Sequence, residues 1–307
     1  MIPMALAEDL RTKIRTQVEA VGGRHDEIEV YGGPDGDLGL TPGPGSLSWE
    51  INGDLASVSA AGMGAVIMEV LHPSVMAGVS QQSSFRTEPF TRARNTLGYV
   101  LRTTFGSTEA ATAVIEKVKH VHGFIEGVRP DGIPYRALDP ELIGWVHTCI
   151  PWAIMEAFHR WNRPLSTAER DAYLREQAPI GLLGGAEWVP TSMAELDDYV
   201  ERMRPLIAMT EQTREFIDFL SGASDGEYRG SARQQLERRL GISGSMMLMP
   251  TWARHLTGTY QPKVVQRAYL DPNARLQARL LRWAYPELPC QRLATARALG
   301  RPVSAAA

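Results

Sequence analysis

Imidazole side chains that could hold a metal ion stand close together in the segment KHVHGFIEG, residues 119–127. On a strand His120 and His122 would point the same way, but on a helix two residues rotate the side chain by about 200°. Apolar residues recur here at three- and four-residue intervals, which predicts a helix. Only one of the two histidines can then face a given site, and Lys119, His122 and Glu126 share a stripe. Spacing alone leaves open whether His122 is a ligand or a hydrogen-bonded structural residue.

A second group combines a cation with a hydroxyl in the segment EPFTRARNT, residues 88–96. Arg92 and Thr96 are one helical turn apart and share a face. In that arrangement they could stabilise and protonate an anionic oxygen species bound to a metal. The alternative is an arginine at the surface that makes an ion pair.

His147 lies four residues before a proline in a strongly apolar segment. Pro151 lacks the N–H that would bond the carbonyl of His147, so a helix should bend here and leave a free acceptor. Kinks of this kind open pockets, but a buried structural histidine is the other reading, and both stay open.

The sequence lacks the motifs of several common catalytic chemistries. The seven histidines contain no H-E-x-x-H pair, and the chain has no G-x-S-x-G elbow and no Walker loop. Cys149 and Cys290, the only cysteines, are far apart and form no C-x-x-C pair. Zinc hydrolysis, serine hydrolysis, nucleotide hydrolysis and a disulfide framework are therefore not expected.

The composition predicts a globular protein of one helical domain. With 307 residues, 44% of them hydrophobic, and a net charge of −3, the chain can bury a core and carries no large basic footprint for nucleic acid. Residues 1–22 lack the apolar core of a signal peptide. The most apolar stretch, 142–158, is interrupted by polar residues and is shorter than the roughly 20 residues that span a bilayer. No membrane span and a cytoplasmic location are expected.

The elements that must position these residues are predicted to be helices. Ser166 and Ser192 begin capping boxes, and Asp139 precedes a first-turn proline. Period-two alternation is almost absent, so at most a short hairpin fits between residues 128 and 137. The fold class is all-α. Residues 1–48 form an N-terminal helix and a Gly/Pro-rich arm that could pack against another subunit in an oligomer, and residues 49–307 form the main domain.

The order of short motifs between about residues 49 and 205 resembles the MpaB-type oxygenases, which share their catalytic domain with the latex-clearing rubber oxygenases. Each motif is weak alone, but their order and spacing together are specific. The motifs as they stand in this chain are Leu71-His72-Pro73, Pro89-x-x-Arg92-x-x-x-Thr96, His122-x-x-Ile125-x-Gly127, Asp131-Gly132-x-Pro134-Tyr135, Leu142-x-x-Trp145-Val146-His147 and Leu165-Ser166-x-Ala168-Glu169-Arg170.

The resemblance implies an all-helical domain that encloses one b-type haem, with His122 as the proximal iron ligand. It places Arg92 and Thr96 on the distal side as catalytic residues, where molecular oxygen is the co-substrate. Lys119, Asn95 and His147 are the further cofactor-binding candidates, and a structural role stays open for Lys119 and His147.

Two departures from the family pattern bear on the chemistry. Asn95 stands where some relatives have a lysine that can cap the distal iron, so an open or water-bound sixth site is expected. The acidic base of the rubber enzymes has no motif-level match, and Glu69 and Glu88 are only nearby candidates. The rubber enzymes are also secreted, whereas no signal peptide is recognised here, which makes polyisoprene a poor substrate.

The predicted function is a haem b-dependent oxygenase for a small or medium hydrophobic organic substrate. No flavin or iron–sulfur motif is recognised, so turnover would need an external electron donor or a mechanism that returns all electrons to the product. An alternative from a different functional class is a non-catalytic protein that binds or senses haem or an apolar ligand. A scaffold that has lost its haem is the third reading.

Overall fold

The fold is almost entirely helical, which confirms the predicted all-α class. The computed structural model describes residues 4–82, 89–224 and 229–301. The α-helices in these ranges are α1 Met4–Gly22, α2 Ile28–Tyr31, α3 Leu47–Asn52, α4 Leu55–Val70, α5 Pro73–Gln82, α6 Pro89–Phe105, α7 Thr108–His122, α8 Pro140–Trp161, α9 Thr167–Gly184, α10 Met193–Met203, α11 Glu211–Ser221, α12 Ala232–Met246, α13 Thr251–Leu256, α14 Lys263–Val265, α15 Asp271–Ala284 and α16 Pro289–Ala298. A 3₁₀ turn at Arg204–Leu206 and a π-helical turn at Gln266–Leu270 complete the helical elements of the same ranges.

One short β-hairpin follows α7. Strands β1, Glu126–Val128, and β2, Pro134–Arg136, pair antiparallel, which confirms the predicted hairpin and extends it two residues towards the N-terminus. Gly132 occupies the left-handed region of the turn with φ of 85°, where glycine has no Cβ to clash.

The predicted stripe beyond His122 is wrong. Helix α7 ends at His122, because the N–H of Gly123 closes its last turn on the carbonyl of Lys119, at 2.9 Å. Glu126 therefore belongs to β1 and not to the helical face of Lys119 and His122. Hairpin pairing outweighs the helical periodicity here.

The caps predicted at Ser166 and Asp139 are present, whereas at Ser192 the cap forms without its capping box. Ser166 and Glu169 form a reciprocal capping box at α9, and the carboxylate of Asp139 accepts from the N–H of Glu141 at α8. At α10 the Ser192 hydroxyl accepts from the N–H of Glu195, but the Glu195 carboxylate turns to Thr191 instead of closing the box. Each cap satisfies helix N–H groups that have no intrahelical partner.

The core lies where α4 packs along α8. A small residue on α4 also lets α12 approach it closely, because a Cβ on Gly64 would lie 2.7 Å from the carbonyl oxygen of Ser245 in α12. On the α8 side the indole N–H of the fully buried Trp145 donates to the carbonyl of Met68, at 3.3 Å. Helix α9 packs on α8, α7 packs on α9, and α6 packs on α7, so the site helices are positioned on this centre through α9.

The N-terminal segment packs against its own chain. Helix α1 contacts α6 and α15, and the buried guanidinium of Arg297 donates to the carbonyls of Tyr31, Asp37 and Phe105 at 2.7, 2.8 and 3.0 Å. Contact of this arm with another subunit stays a prediction.

In the described ranges no single helix combines the length and the apolar character needed to cross a bilayer. Helices α4 and α5 meet both criteria only when they are taken together, and they bend by 103° relative to each other.

Candidate functional site

The residues predicted to do chemistry lie on two packed helices, α6 and α7, which are joined by only Gly106 and Ser107. Arg92 and Thr96 stand in the first two turns of α6, and His122 is the last residue of α7. Each helix runs for about 22–25 Å from the shared connection. The three positions are therefore at the far ends of one helix pair.

Helix α5 links these two far ends. Its C-terminal residue is followed, after residues 83–88, by the start of α6. On the α7 side, the Gln81 amide donates to the carbonyl of Val128 at 3.0 Å, and a Cβ on Gly78 would lie 3.6 Å from Ile125 Cγ2. The absence of a side chain at Gly78 lets the segment after His122 pack onto α5.

The two neighbouring histidines of α7 differ in their exposure to solvent. His122 is half-buried and His120 is exposed, as expected for side chains about 200° apart on a helix. The ring of His120 meets the edge of Phe124, with centroids 5.1 Å apart. Lys119 is directed to another partner, because its ammonium lies 2.9 Å from Glu116.

On α6, Thr96 is half-buried and Asn95 is exposed. The backbone of Arg92 is helical, and its side chain lies outside the described residues, as does Glu88. By helical register Arg92 and Thr96 share a face, and Tyr99 and Val100 continue that face one turn further on.

The face of α6 that carries Thr96 continues into a cavity. The cavity lies between α6, α8 and α9 and has about 280 Å³ of empty space, including its open mouth. Its lining is mostly apolar: Tyr99, Val100, Thr103, His147, Ile150, Pro151, Ile154, Gln177 and Ile180. Because that figure includes open solvent, the enclosed part is far smaller than the roughly 300–1,000 Å³ usual for small-molecule sites. A larger ligand would therefore require α6 to move away from α8 and α9.

His147 forms part of the cavity wall opposite α6. Its ring lies so close to α9 that a Cβ on Gly181 would come within 2.5 Å of its Cδ2 atom. Burial lowers the pKa of His147 to about 4, against a smaller opposing effect of its hydrogen bond to the backbone of Gln177. The imidazole is thus neutral at physiological pH, and its N–H is directed to a carbonyl.

The other predicted acid lies on the far side of α8. Glu69 is buried in α4, next to Cys149. Burial, followed by the charge of Glu69, raises the pKa of the Cys149 thiol well above its usual value. Cys149 is therefore a protonated core residue.

Three further histidines of the described ranges have local roles. His72 Nδ1 accepts from the N–H of Ser74 at 3.2 Å and caps α5, and His159 Nδ1 accepts from the N–H of Leu165 at 2.9 Å. His255 stacks on Tyr260. In the described part of the chain no three His, Cys, Asp or Glu side chains form a group that could hold a metal ion. A metal held largely by a cofactor would need a single protein ligand.

The catalytic-domain family described as ER-bound oxygenase mpaB/B'/Rubber oxygenase matches residues 49–289 of this chain. The chain belongs to this family. The matched range begins in α3, ends at the start of α16 and contains α6, α7, α8 and α9 with every predicted site residue. The resemblance noted from short motifs over residues 49–205 is thereby confirmed and extended towards the C-terminus.

Individual relatives are more distant than the family. An uncharacterized protein of Mycobacterium bovis and one of Mycobacterium tuberculosis are each 25% identical to this chain over 159 residues, which is 50% of this chain and 62% of each relative. Among solved structures, latex clearing protein LCP in the closed state matches with a TM-score of 0.51 at 14% identity, over 97% of this chain and 90% of that chain. At this identity the structural match shows a shared fold.

Within this family member, sequence reasoning missed most of the cavity. Tyr99 and Thr103 follow Thr96 at helical spacing and could have been found by extending its face along α6. Gly181, a glycine inside a helix, was the available signal for a close contact, but its partner His147 could not be identified without the packing of α8 against α9.

Proposed function

We propose that the protein is a haem b-dependent oxygenase that acts on a small or medium hydrophobic organic substrate, with His122 as the proximal iron ligand. The single observation that carries the proposal is the family match over residues 49–289, because this range includes His122, Arg92 and Thr96 in the spacing of the family motifs. The activity of the whole protein is part of the proposal, since the chain spans about 62% of the curated relatives it matches.

The donor set fits a haem. A porphyrin supplies four nitrogen ligands, so one half-buried imidazole at the end of α7 suffices on the protein side. The lining of the cavity is mostly apolar, as a flat hydrophobic group requires, and His122 and Thr96 lie outside that lining. Gly123 beside His122 adds no side-chain bulk. The cavity between α6, α8 and α9 must widen for a group of this size, and we propose that α6 moves.

When bound, haem supplies the electron-transfer and dioxygen chemistry. The protein supplies position and charge. The backbone of His122 is held on both sides, because its carbonyl accepts from the N–H of Ile125 at 3.0 Å while α7 anchors it from behind. This fixes the base of the imidazole at the edge of the hairpin.

Arg92 and Thr96 act on the distal side, opposite His122. A guanidinium keeps its positive charge at any physiological pH and stabilises negative charge that develops as dioxygen is consumed. The Thr96 hydroxyl, one turn along the same face, can donate and accept a proton. Asn95 carries no basic amine, which leaves the approach of a small molecule unblocked.

The cavity beyond Thr96 offers a mostly apolar surface to a substrate. Its walls are chiefly aliphatic and aromatic, and the one imidazole among them, His147, is kept neutral by burial. Such a lining favours a hydrophobic substrate over a charged one. Turnover needs an external electron donor, unless all the electrons that reduce dioxygen come from the substrate and remain in the product.

The haem proposal is tested by the absorption spectrum of protein expressed with added haem, with and without dithionite and carbon monoxide. The wild type should show a Soret band that shifts with both reagents, and His122→Ala should abolish it. His120→Ala is the matched control, because it removes an exposed imidazole two residues away, and it should leave the spectrum unchanged. Colourless wild-type protein, or equal loss in both variants, would refute His122 as the ligand.

Variants of α6 distinguish a role in catalysis from a role in haem binding. Arg92→Ala and Thr96→Ala should keep the Soret band and lose oxygen consumption with a hydrophobic substrate, by about 10²-fold or more for a group that stabilises developing charge. Loss of haem in either variant would mean that the residue holds the cofactor. Unchanged oxygen consumption in both variants would refute the catalytic roles of Arg92 and Thr96. No oxygen consumption by the wild type would favour the binding or sensor alternative.

A further inference from the structure

A second surface with a distinct composition lies on the continuous helical run from Lys263 to Ala284, far in sequence from the candidate site. The run crosses a π-helical turn, in which the N–H of Asp271 bonds the carbonyl of Gln266 five residues back. Pro272 follows directly and has no N–H to donate. The wider turn keeps the helix continuous where a proline would otherwise break it.

One side of this run is fixed to the protein. Leu270, Ala278 and Ala284 are buried, and α15 packs against α4 and α1. Leu276 and Leu280 are each two residues from Ala278, which places them about 160° around the helix from it. They therefore project away from the core, and 55% of Leu276 and 38% of Leu280 is exposed.

The exposed side combines large apolar residues with cations. We name it the basic-apolar face, and it consists of Val264, Tyr269, Leu276 and Leu280 with Lys263, Arg267, Arg275 and Arg279. All eight residues are exposed. In the described part of the chain none of the four cations forms an ion pair or a side-chain hydrogen bond.

Acidic residues nearby are already engaged. Asp271, the only acid within the run, is held by the Arg160 guanidinium at 2.8 and 2.9 Å. The charge of Arg275 acts on it as a smaller effect. On the adjacent α1, Glu8 and Asp9 pair with cations of their own helix. The exposed charge of the basic-apolar face is therefore positive, although the whole chain carries a net charge of −3.

Most surface helices mix charges of both signs and expose few large apolar residues. A helix with an apolar stripe flanked by cations is instead typical of a segment that lies in the interface of an anionic bilayer. Two other occupants fit less well. A second copy joined through this face would oppose cations to cations, and nucleic acid would leave the leucines without a partner.

We propose that the basic-apolar face docks the protein on a membrane surface that contains anionic lipid, with the two leucines in the acyl boundary and the four cations at the headgroups. This peripheral contact needs no spanning helix. It is independent of the haem, so its failure leaves the oxygenase proposal untouched.

The test is co-sedimentation of the full chain with vesicles of phosphatidylcholine alone and of phosphatidylcholine with about a third phosphatidylserine, at near-physiological salt. The protein should bind the anionic vesicles, bind the neutral ones much less, and dissociate at high salt. Arg275→Gln with Arg279→Gln should weaken binding roughly 30-fold, at about tenfold per 1.4 kcal/mol and about 1 kcal/mol per cation. Leu276→Ser with Leu280→Ser should weaken it at least about tenfold.

Matched controls remove the same groups elsewhere. Arg175→Gln with Arg214→Gln deletes two exposed charges on α9 and α11, and Leu236→Ser removes an exposed leucine of α12. These variants should bind as the wild type does, and all variants should keep its circular dichroism and Tm.

Several results would overturn the proposal. Absence of vesicle binding, equal binding to neutral vesicles, or full binding by either double variant of the face would do so. Binding to heparin or DNA without vesicle binding would indicate a polyanion partner instead. A concentration-dependent dimer that the leucine variant abolishes, again without vesicle binding, would assign the face to a second copy.

Discussion

The contact between Gly181 and His147 predicts an unusual response to a small substitution. A Cβ at Gly181 would lie 2.5 Å from Cδ2 and 2.8 Å from Cγ of the His147 ring, closer than carbon atoms pack. The neighbour is a ring held by helices α8 and α9 and not the end of a flexible chain. Gly181→Ala must therefore push the ring into the cavity or separate the two helices.

The magnitude follows from two opposing effects. Replacing glycine by alanine inside a helix is worth up to about 1 kcal/mol in favour of folding. Overpacking a tight contact costs about 1–3 kcal/mol. We therefore expect Gly181→Ala to be neutral or up to about 2 kcal/mol less stable than the wild type.

Gly62→Ala is the matched control, because Gly62 is also inside a helix and a Cβ there would meet nothing within 4 Å. It should stabilise the protein, so the two alanine variants should differ by about 1–3 kcal/mol. Thermal unfolding at fixed protein concentration measures this, since each kcal/mol shifts Tm by about 2–4 °C in domains of 150–250 residues.

A double-mutant cycle assigns the effect to the ring. Combined with His147→Ala, Gly181→Ala should no longer destabilise, because the atoms it strikes are gone, and the coupling free energy should be at least about 1 kcal/mol. If Gly181→Ala stabilises the protein as much as Gly62→Ala does, or if the two substitutions are additive, the packing argument for this cavity wall is wrong.

Two further predictions concern other parts of the fold. Burial, followed by the charge of Arg129, lowers the pKa of His72 to about 4, below the roughly 6.5 of an unfolded chain, so the wild type should lose up to about 3 kcal/mol as pH falls from 6.5 to 4. His72→Asn keeps an acceptor for the N–H of Ser74 and should flatten that loss in pH-dependent unfolding, whereas an unchanged pH profile would contradict the assignment. Arg297→Gln should lower the free energy of unfolding by about 3 kcal/mol or more, because it breaks charged hydrogen bonds to buried carbonyls including that of Tyr31. The variant should also expose the N-terminal segment to limited proteolysis. A variant that resists protease as well as the wild type does would contradict that role.

Local rules predicted most of the helices but not where α7 ends. Capping residues such as Ser166 and Asp139 act on their own first turn, so the sequence carries the complete signal. The end of α7 depends instead on strands β1 and β2, which pair and pack onto α5. Helical periodicity continues through residue 125, and it competes with a local signal for a helix end, which is Gly123 preceded by basic residues in the last turn.

The cavity could likewise be predicted only in part, because its walls come from segments far apart in the sequence. Helix register alone places Arg92, Thr96 and Tyr99 on one face, since register is a property of a single segment. The opposite wall comes from α8 and α9, about fifty to eighty residues later, and it exists only because Gly181 lets the His147 ring approach.

Sequence reasoning left His147 between a structural residue and a pocket residue, and the packing shows why both descriptions apply. Burial against α9 keeps the imidazole neutral and its N–H bonded to the backbone of Gln177, which is what a structural histidine does. The same ring borders the apolar space that continues the face of Thr96. Its position therefore sets the width of that space, so substitutions of His147 should change which hydrophobic molecules fit before they change how the protein handles oxygen.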